Sequence, residues 1–377
     1  MKAKAFKILR KMLLYFGILV GVLFLGIVLF MNLSPQFGRK PSAEQKKEYA
    51  KADNHNGDNF LNIDGVTADM PRGDMWKAMK GMLRSIPNTR PSSPLPVQSI
   101  DSTDIAQYKG EARLVWFGHS TFLLQLQGKN ILIDPMFGQV PAPHPWLGGK
   151  RFGKLPIEIK KLPQIDAVLL SHDHYDHLDH LSILLIKDKV KHFFTPLGLG
   201  NHLQRWGVAE EDISELNWWE EVNFEGLLFA STPSQHFSGR GFSDRDQTLW
   251  TSWVIRSESE NIFFSGDSGY ADHFKSIGEK YGPFDFAMME CGQYNTLWPV
   301  VHMFPEETAQ AGIDVKAKRV MPIHWGAFKL AQHTWTDPVE RFKVKAEELQ
   351  LEYVVPEIGQ ITRIKDSTLV QKEWWKD

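Results

Sequence analysis

Cysteine is almost absent, with Cys291 the single example in 377 residues. No intrachain disulfide can form and no thiolate-rich zinc site can be built, so any metal must be held by histidine and carboxylate. Net charge is also nearly absent, with 43 Lys and Arg against 45 Asp and Glu. Acid is missing from residues 1–11, which carry five basic side chains, so the remainder of the chain is net acidic. That balance argues against nucleic acid as a partner. A composition 42% hydrophobic and 23% charged excludes a disordered or collagenous chain. No internal repeat is visible, and the length accommodates two or three domains, or one large domain with appendages.

What is there begins with a membrane segment. Met12 to Met31 is a run of twenty residues without a charge. At ~1.5 Å per residue it spans about 30 Å of hydrocarbon, the length of a transmembrane helix. A cleaved signal peptide has a shorter apolar region ending in small residues, whereas this run continues into Leu-Phe-Met-Asn-Leu-Ser-Pro. Lys2, Lys4, Lys7, Arg10 and Lys11 lie immediately before the span, and Arg39, Lys40, Lys46, Lys47 and Lys51 follow it more loosely. This density predicts a cytoplasmic N-terminus and an extracytoplasmic main domain, facing the periplasm from a bacterial inner membrane.

The chain divides into a basic tail (1–11), the span (12–31), a linker and amphipathic arm (32–111) and a main domain (112–377). Within the arm, Asp74 is placed to cap a helix through Ile86. Met75, Trp76, Met79, Met82, Leu83 and Ile86 would lie on one side and Lys77, Lys80 and Arg84 on the other. That stripe predicts packing against a core, with a lipid-contacting helix as the alternative. From Arg113 the texture is β-rich: strands are expected at 113–117, 121–126, 130–134, 166–170, 192–195, 227–231, 248–256, 261–265, 285–290 and 319–324. Helices fit at about 178–188, 272–280, 305–316 and 338–349. This order predicts an α+β domain of mixed sheets covered by helices.

Four of the fourteen histidines fall within nine residues, in His172-Asp-His174-Tyr-Asp176-His177-Leu-Asp-His180, directly after the apolar run ending at Leu170. A loop leaving a strand end can converge His172 and His174 on one ion and Asp176 and His177 on another, because imidazole and carboxylate suit zinc or a similar divalent cation. A solvated loop that happens to be rich in histidine is the bland alternative. Chains rarely concentrate such groups unless a metal compensates for ordering them.

The His-x-His-x-Asp-His pattern resembles the signature of the metallo-β-lactamase superfamily. The resemblance predicts later ligands, and candidates occur in order: His236 in Pro233-Ser-Gln-His236, Asp267 in Ser265-Gly-Asp267 and His324 in Pro322-Ile-His324. It implies an αββα sandwich of two mixed sheets holding two divalent cations, taken as zinc. His172, His174 and His236 would hold one and Asp176, His177 and His324 the other, with Asp267 and a hydroxide bridging them. It also implies that Asp134, which closes Ile131-Leu-Ile-Asp134-Pro, orients a metal-bound histidine; without it, Asp134 reads as a strand end before a turn. His119, in Gly118-His-Ser-Thr121, is near the site but is assigned no ligand role.

Trp116-Phe-Gly-His-Ser-Thr121, Ile133-Asp-Pro135, Gly266-Asp-Ser-Gly-Tyr270 and Ile323-His-Trp-Gly-Ala-Phe328 resemble, more narrowly, the N-acyl-phosphatidylethanolamine-hydrolysing phospholipase D family and its bacterial relatives. That likeness covers about residues 112–335. It implies a membrane phospholipid substrate, cleaved to N-acylethanolamine and phosphatidic acid at the surface of the lipid bilayer. His302 resembles a family histidine near the substrate phosphate, and a metal-bound water, Asp176 or His302 could protonate the leaving group. Trp218, Trp219 and Trp298 would suit interfacial contact. A lactonase or cyclic phosphodiesterase on the same scaffold is the first alternative, and a non-enzymatic envelope protein keeping the fold is the second.

Overall fold

A computed structural model describes residues 2–68, 72–82, 84, 86–366 and 372–376. The helices are α1 (Lys2–Leu33), α2 (Ala43–Tyr49), α3 (Arg72–Met82), α4 (Ser102–Gln107), α5 (His180–Ile186), α6 (Gly200–Arg205), α7 (His273–Lys280), α8 (Pro305–Asp314) and α9 (Asp337–Glu348). Sheet one contains β1 (Arg113–Trp116), β2 (Phe122–Leu126), β3 (Lys129–Ile133), β4 (Ile165–Leu169), β5 (Val190–Pro196) and β6 (Ile213–Leu216). Sheet two contains β7 (Glu221–Phe224), β8 (Leu227–Thr232), β9 (Ser252–Arg256), β10 (Asn261–Phe264), β11 (Phe286–Glu290), β12 (Arg319–Ile323) and β13 (Glu352–Tyr353). The last strand, β14 (Ile361–Arg363), returns to pair with β1 at the edge of sheet one.

The strand orders are β14-β1-β2-β3-β4-β5-β6 and β13-β12-β11-β10-β9-β8-β7. Both sheets are mixed. Pairing is antiparallel from β1 to β3 and parallel from β3 to β6; it is antiparallel from β7 to β10 and parallel from β10 to β13. The β2–β3 hairpin turns across Gln127 and Gly128, both at positive φ, as a two-residue turn of the hand that matches strand twist requires.

Alternation along the strands separates three cores. Phe122, Leu124 and Leu126 of β2 point between the sheets, where Trp116, Trp253, Phe264 and Trp325 also pack. Leu123 points outward into a second core with Ile183 and Ile186 of α5. On the far side, Val320 of β12 packs with Phe274 of α7, Ala309 of α8 and Phe342 of α9. The layers therefore run helix, sheet, sheet, helix, as expected.

Several expectations need correction. The strand expected at 248–256 begins only at Ser252, because the backbone before it bonds to other loops rather than to a ladder: the Leu249 N–H donates to the Leu197 carbonyl at 2.8 Å and the Thr251 N–H to the Ser171 carbonyl at 2.9 Å. The helix expected at 178–188 ends at Ile186 and tightens into a 3-10 turn. The arm helix runs Arg72–Met82; among its described side chains Met75 and Trp76 are exposed and Ala78 is buried. Leu83 lies outside the described residues. Nearer the span, Tyr49 and Phe60 pack with Leu249 and Trp250, so this part of the arm lies against the domain. The α1 helix is long and apolar enough to cross a membrane.

Candidate metal centre

β1, β3 and β4 run in one direction in sheet one, and β8, β10, β11 and β12 run in one direction in sheet two. Their carboxyl ends gather on one edge of the sandwich. His119 follows β1, Asp134 follows β3, His172 to His177 follow β4, His236 follows β8, Asp267 follows β10, Glu290 ends β11 and His324 follows β12. His119, Asp134 and His324 all sit at positive φ, a costly conformation for such residues that aims them inward. Gly266, at φ 57°, is required before Asp267, because a Cβ there would stand 2.7 Å from the Thr251 carbonyl oxygen.

Two groups form. In the first, His172 Nε2 lies 2.9 Å from His174 Nδ1, and His236 Nε2 lies 3.1 Å from the same atom. Asp267 Oδ2 is 3.8 Å from both His172 Nε2 and His236 Nε2. In the second, Asp176 Oδ2 is 2.8 Å from His119 Nε2, 3.2 Å from His324 Nε2 and 3.5 Å from His177 Nε2. Asp267 joins this group too, with Oδ1 3.2 Å from His177 Nε2 and Oδ2 3.1 Å from His324 Nε2. The seven residues singled out as ligands are thus brought together, with Asp267 between the two sets.

The outer hydrogen bonds decide which ring atoms face inward. His177 Nδ1 donates to Asp134 Oδ2 at 2.7 Å, and Asp134 Oδ1 accepts from the Ser171 N–H at 2.8 Å. His236 Nδ1 donates to the Val301 carbonyl at 2.9 Å, and His324 Nδ1 faces the Gly292 carbonyl at 3.3 Å. Each Nε2 is therefore left as a lone pair pointing at other lone pairs or at carboxylate oxygens, and these arrangements repel unless a proton or a cation lies between them. His177 Nε2 and Asp267 Oδ1 are buried with no hydrogen-bond partner. Without a metal only protons can compensate. Burial pushes the imidazoles of His177 and His324 down, but Asp267 and Asp176 outweigh it and raise both, His324 to about 10. Burial also pushes the Asp267 carboxyl up, and His177 and His324 outweigh it to hold it well below the carboxylate range. Burial and then His324 drive His119 down to about 3. The donor set fits divalent cations held by nitrogen and oxygen.

Sequence reasoning missed several residues. His119 stands at ligand distance from Asp176, although its motif suggested only proximity. Glu290 is fully buried and its Oε1 lies 3.1 Å from His302 Nδ1 and 3.4 Å from His324 Nδ1; a lone acid closing the apolar run Phe286-Ala-Met-Met was the available signal. Asn62 gave no signal. Its Oδ1 accepts from the His236 N–H at 3.0 Å and its Nδ2 donates to the His236 carbonyl at 2.8 Å.

A cavity of about 610 Å³ opens over the centre. His174, Asp176, Asp267 and His324 form its floor, with His302 beside them, and Met75, Phe237, Trp298 and Leu330 supply apolar wall. Of the tryptophans considered interfacial, Trp298 lines this cavity, Trp219 stacks on Tyr281 and Trp218 donates to the Trp250 carbonyl.

A family profile described as Beta-lactamase superfamily domain matches residues 129–325, which hold most of these groups. The chain belongs to the metallo-β-lactamase superfamily. An uncharacterized protein of Mycobacterium tuberculosis is 36% identical to this superfamily member, over 84% of this chain and 86% of the relative. N-acyl-phosphatidylethanolamine-hydrolyzing phospholipase D 1 of Caenorhabditis elegans is 30% identical, over 73% of this chain and 82% of its own. Among solved structures, isothiocyanate hydrolase from Delia radicum gut bacteria superposes with a TM-score of 0.52 at 21% identity, over 66% of this chain and 98% of that one, which shows the shared fold. Superfamily membership together with the His and Asp cluster supports a metal-dependent hydrolase that binds divalent metal.

Proposed function

We propose that this superfamily member is a membrane-anchored phosphodiesterase of the phospholipase D type, releasing N-acylethanolamine and phosphatidic acid from N-acyl phosphatidylethanolamine. The observation that carries the reading is the apolar-walled cavity set over two ligand groups that share Asp267. A long acyl chain needs such a wall, and a phosphodiester needs such a floor. The likeness to the nematode phospholipase D supports the same substrate class, and α1 would keep the site at the lipid surface.

His172, His174 and His236 would hold one cation and Asp176, His177 and His324 the other, with Asp267 between them. Two divalent ions, taken as zinc, would supply Lewis acidity and hydroxide near neutral pH when bound. The protein's own groups do the rest. Asp134 fixes the tautomer of His177 through Nδ1, so that Nε2 faces inward. His302 Nδ1 donates to Glu290 Oε1, so a proton on the cavity-side Nε2 makes the ring an imidazolium paired with that carboxylate, and this Nε2–H is the one that can be given up. As the bond between phosphorus and the ethanolamine oxygen breaks, that oxygen takes the proton and leaves as the alcohol, while the attacking oxygen stays on the phosphatidate. Met75, Phe237, Trp298 and Leu330 exclude water from the acyl chain.

The test is product analysis of the detergent-purified, metal-replete protein on N-acyl phosphatidylethanolamine. The wild type should release both products, and His177→Ala should lower the rate by at least about 100-fold, since it removes a ligand. Metal-dependent turnover of a soluble lactone or cyclic phosphodiester, with none of the lipid, would replace this reading with another hydrolase on the same centre.

A further inference from the structure

A second cavity, of about 520 Å³, lies where α1 meets the domain and shares no lining residue with the first. One wall is apolar and belongs to the span: Phe24, Val28 and Met31. Phe242 faces it from the loop after β8, and its side chain is 89% exposed. The end nearer the domain is cationic, with Arg39, Lys40 and Arg205. This ordering, apolar alongside the span and positive just beyond it, repeats the profile of a phospholipid in its leaflet.

The cationic end is built rather than incidental. Arg205 holds the end of α1, donating through Nη2 to the carbonyls of Asn32 at 3.0 Å and of Leu33 and Ser34 at 3.3 Å. Lys40 Nζ donates to the Ser243 carbonyl and hydroxyl, both at 2.9 Å. Asp244, the one acid in the lining, is engaged by the N–H groups of Arg240 at 3.1 Å and Gly241 at 2.8 Å. Arg39 is anchored by its backbone, whose N–H donates to His202 Nδ1 at 2.9 Å, while its exposed guanidinium has no hydrogen-bond or ion-pair partner among the described residues. Trp206 Nε1 donates to the Pro35 carbonyl at 2.7 Å and Arg240 Nε to the Gln36 carbonyl at 2.8 Å, so the stretch between span and domain is fixed in place.

We propose that this groove binds an anionic phospholipid of the surrounding leaflet, its phosphate at Arg39 and Lys40 and its acyl chain along Phe24, Val28, Met31 and Phe242. The proposal rests on α1 spanning the membrane and is independent of which bond the catalytic site cleaves. The lipid would act as a fitted washer between helix and domain, distinct from substrate.

The test uses full-length protein in phosphatidylcholine nanodiscs doped with phosphatidylglycerol carrying a photoreactive acyl chain, with crosslinks mapped by peptide mass spectrometry. Labelling should concentrate in the peptides holding Phe24–Met31 and Phe242. The double variant Arg39→Ala with Lys40→Ala should lower it on the order of tenfold, as expected for two lost juxtamembrane charges. Lys46→Ala with Lys47→Ala should leave it unchanged, and unaltered metal content would show that every variant is folded. Equal labelling by a phosphatidylcholine probe, or labelling insensitive to the Arg39 and Lys40 changes, overturns the lipid site. Alkaline extraction separates the two premises: release of the wild type from membranes overturns anchor and lipid site together, whereas retention with charge-blind labelling overturns the lipid site alone.

Discussion

His273 shows what burial does to a histidine that no carboxylate hydrogen-bonds. It packs against Phe274 with ring centroids 4.0 Å apart, its Nε2 meets Ser268 Oγ at 3.1 Å, and its Nδ1 has no partner. Burial drives its pKa down to about 3, with Asp272 opposing weakly. The unfolded chain takes up this proton near pH 6.5, and the folded chain does not until about pH 3. The resulting stability is fully present above about pH 6.5 and is lost progressively as pH falls toward 3. At roughly 1.4 kcal/mol per pH unit, the cost between pH 7 and pH 5 is about 2 kcal/mol. Urea unfolding of His273→Phe at the two pH values should show a drop smaller than the wild-type drop by about that amount. Equal drops would place the acid sensitivity elsewhere. His177 and His324 are opposite cases, raised above the ordinary imidazole value by Asp267 and Asp176 despite their burial.

At the level of elements, what could be read from sequence follows from burial. The strands closest to their expected bounds, such as β2 and β11, are buried along their whole length and therefore mostly apolar, with Gln125 and Glu290 the polar exceptions. β7, with alternating exposed and half-buried residues at a sheet edge, and the very short β13 and β14 leave too little apolar signal to be read. α2, α4 and α6 escaped for a related reason: each is two turns or fewer and is set by caps or packing rather than by a long stripe. The site followed the same rule. Clustered histidines after β4 announce themselves, but Asn62 lies in a polar segment whose contact with His236 spans 174 positions of sequence, and only tertiary structure reveals it. Asn62 Oδ1 also accepts from Trp250 Nε1 at 3.0 Å, so one amide ties the arm, the connection before β9 and the loop after β8. Asn62→Ala should therefore weaken metal retention by about tenfold, the lower end for loss of a group that orients a ligand. Competition with a chromogenic chelator measures this, and wild-type affinity in the variant would show that the loop after β8 holds His236 unaided.

For the whole molecule, the centre is a joint between two half-structures. Sheet one supplies Asp134 and the loop from His172 to His177, sheet two supplies His236, Asp267 and His324, and across the seam Asp267 faces His177 Nε2 while Asp176 faces His324 Nε2. A cation at that seam binds the assembled halves and has no equivalent site in the unfolded chain, so its binding energy adds to folding stability. With free metal near a thousand times the dissociation constant the gain is about 4 kcal/mol, which for a domain of this size raises the melting temperature by roughly 10 °C. Removing metal with a chelator should lower the midpoint of thermal unfolding in detergent by about that amount, and restoring zinc should recover it. His177→Ala should melt at a lower temperature and respond less to the chelator, because its centre is already incomplete. A wild-type midpoint indifferent to chelation would mean that the two half-structures hold together by their shared core of Trp116, Phe122, Trp253 and Phe264 alone.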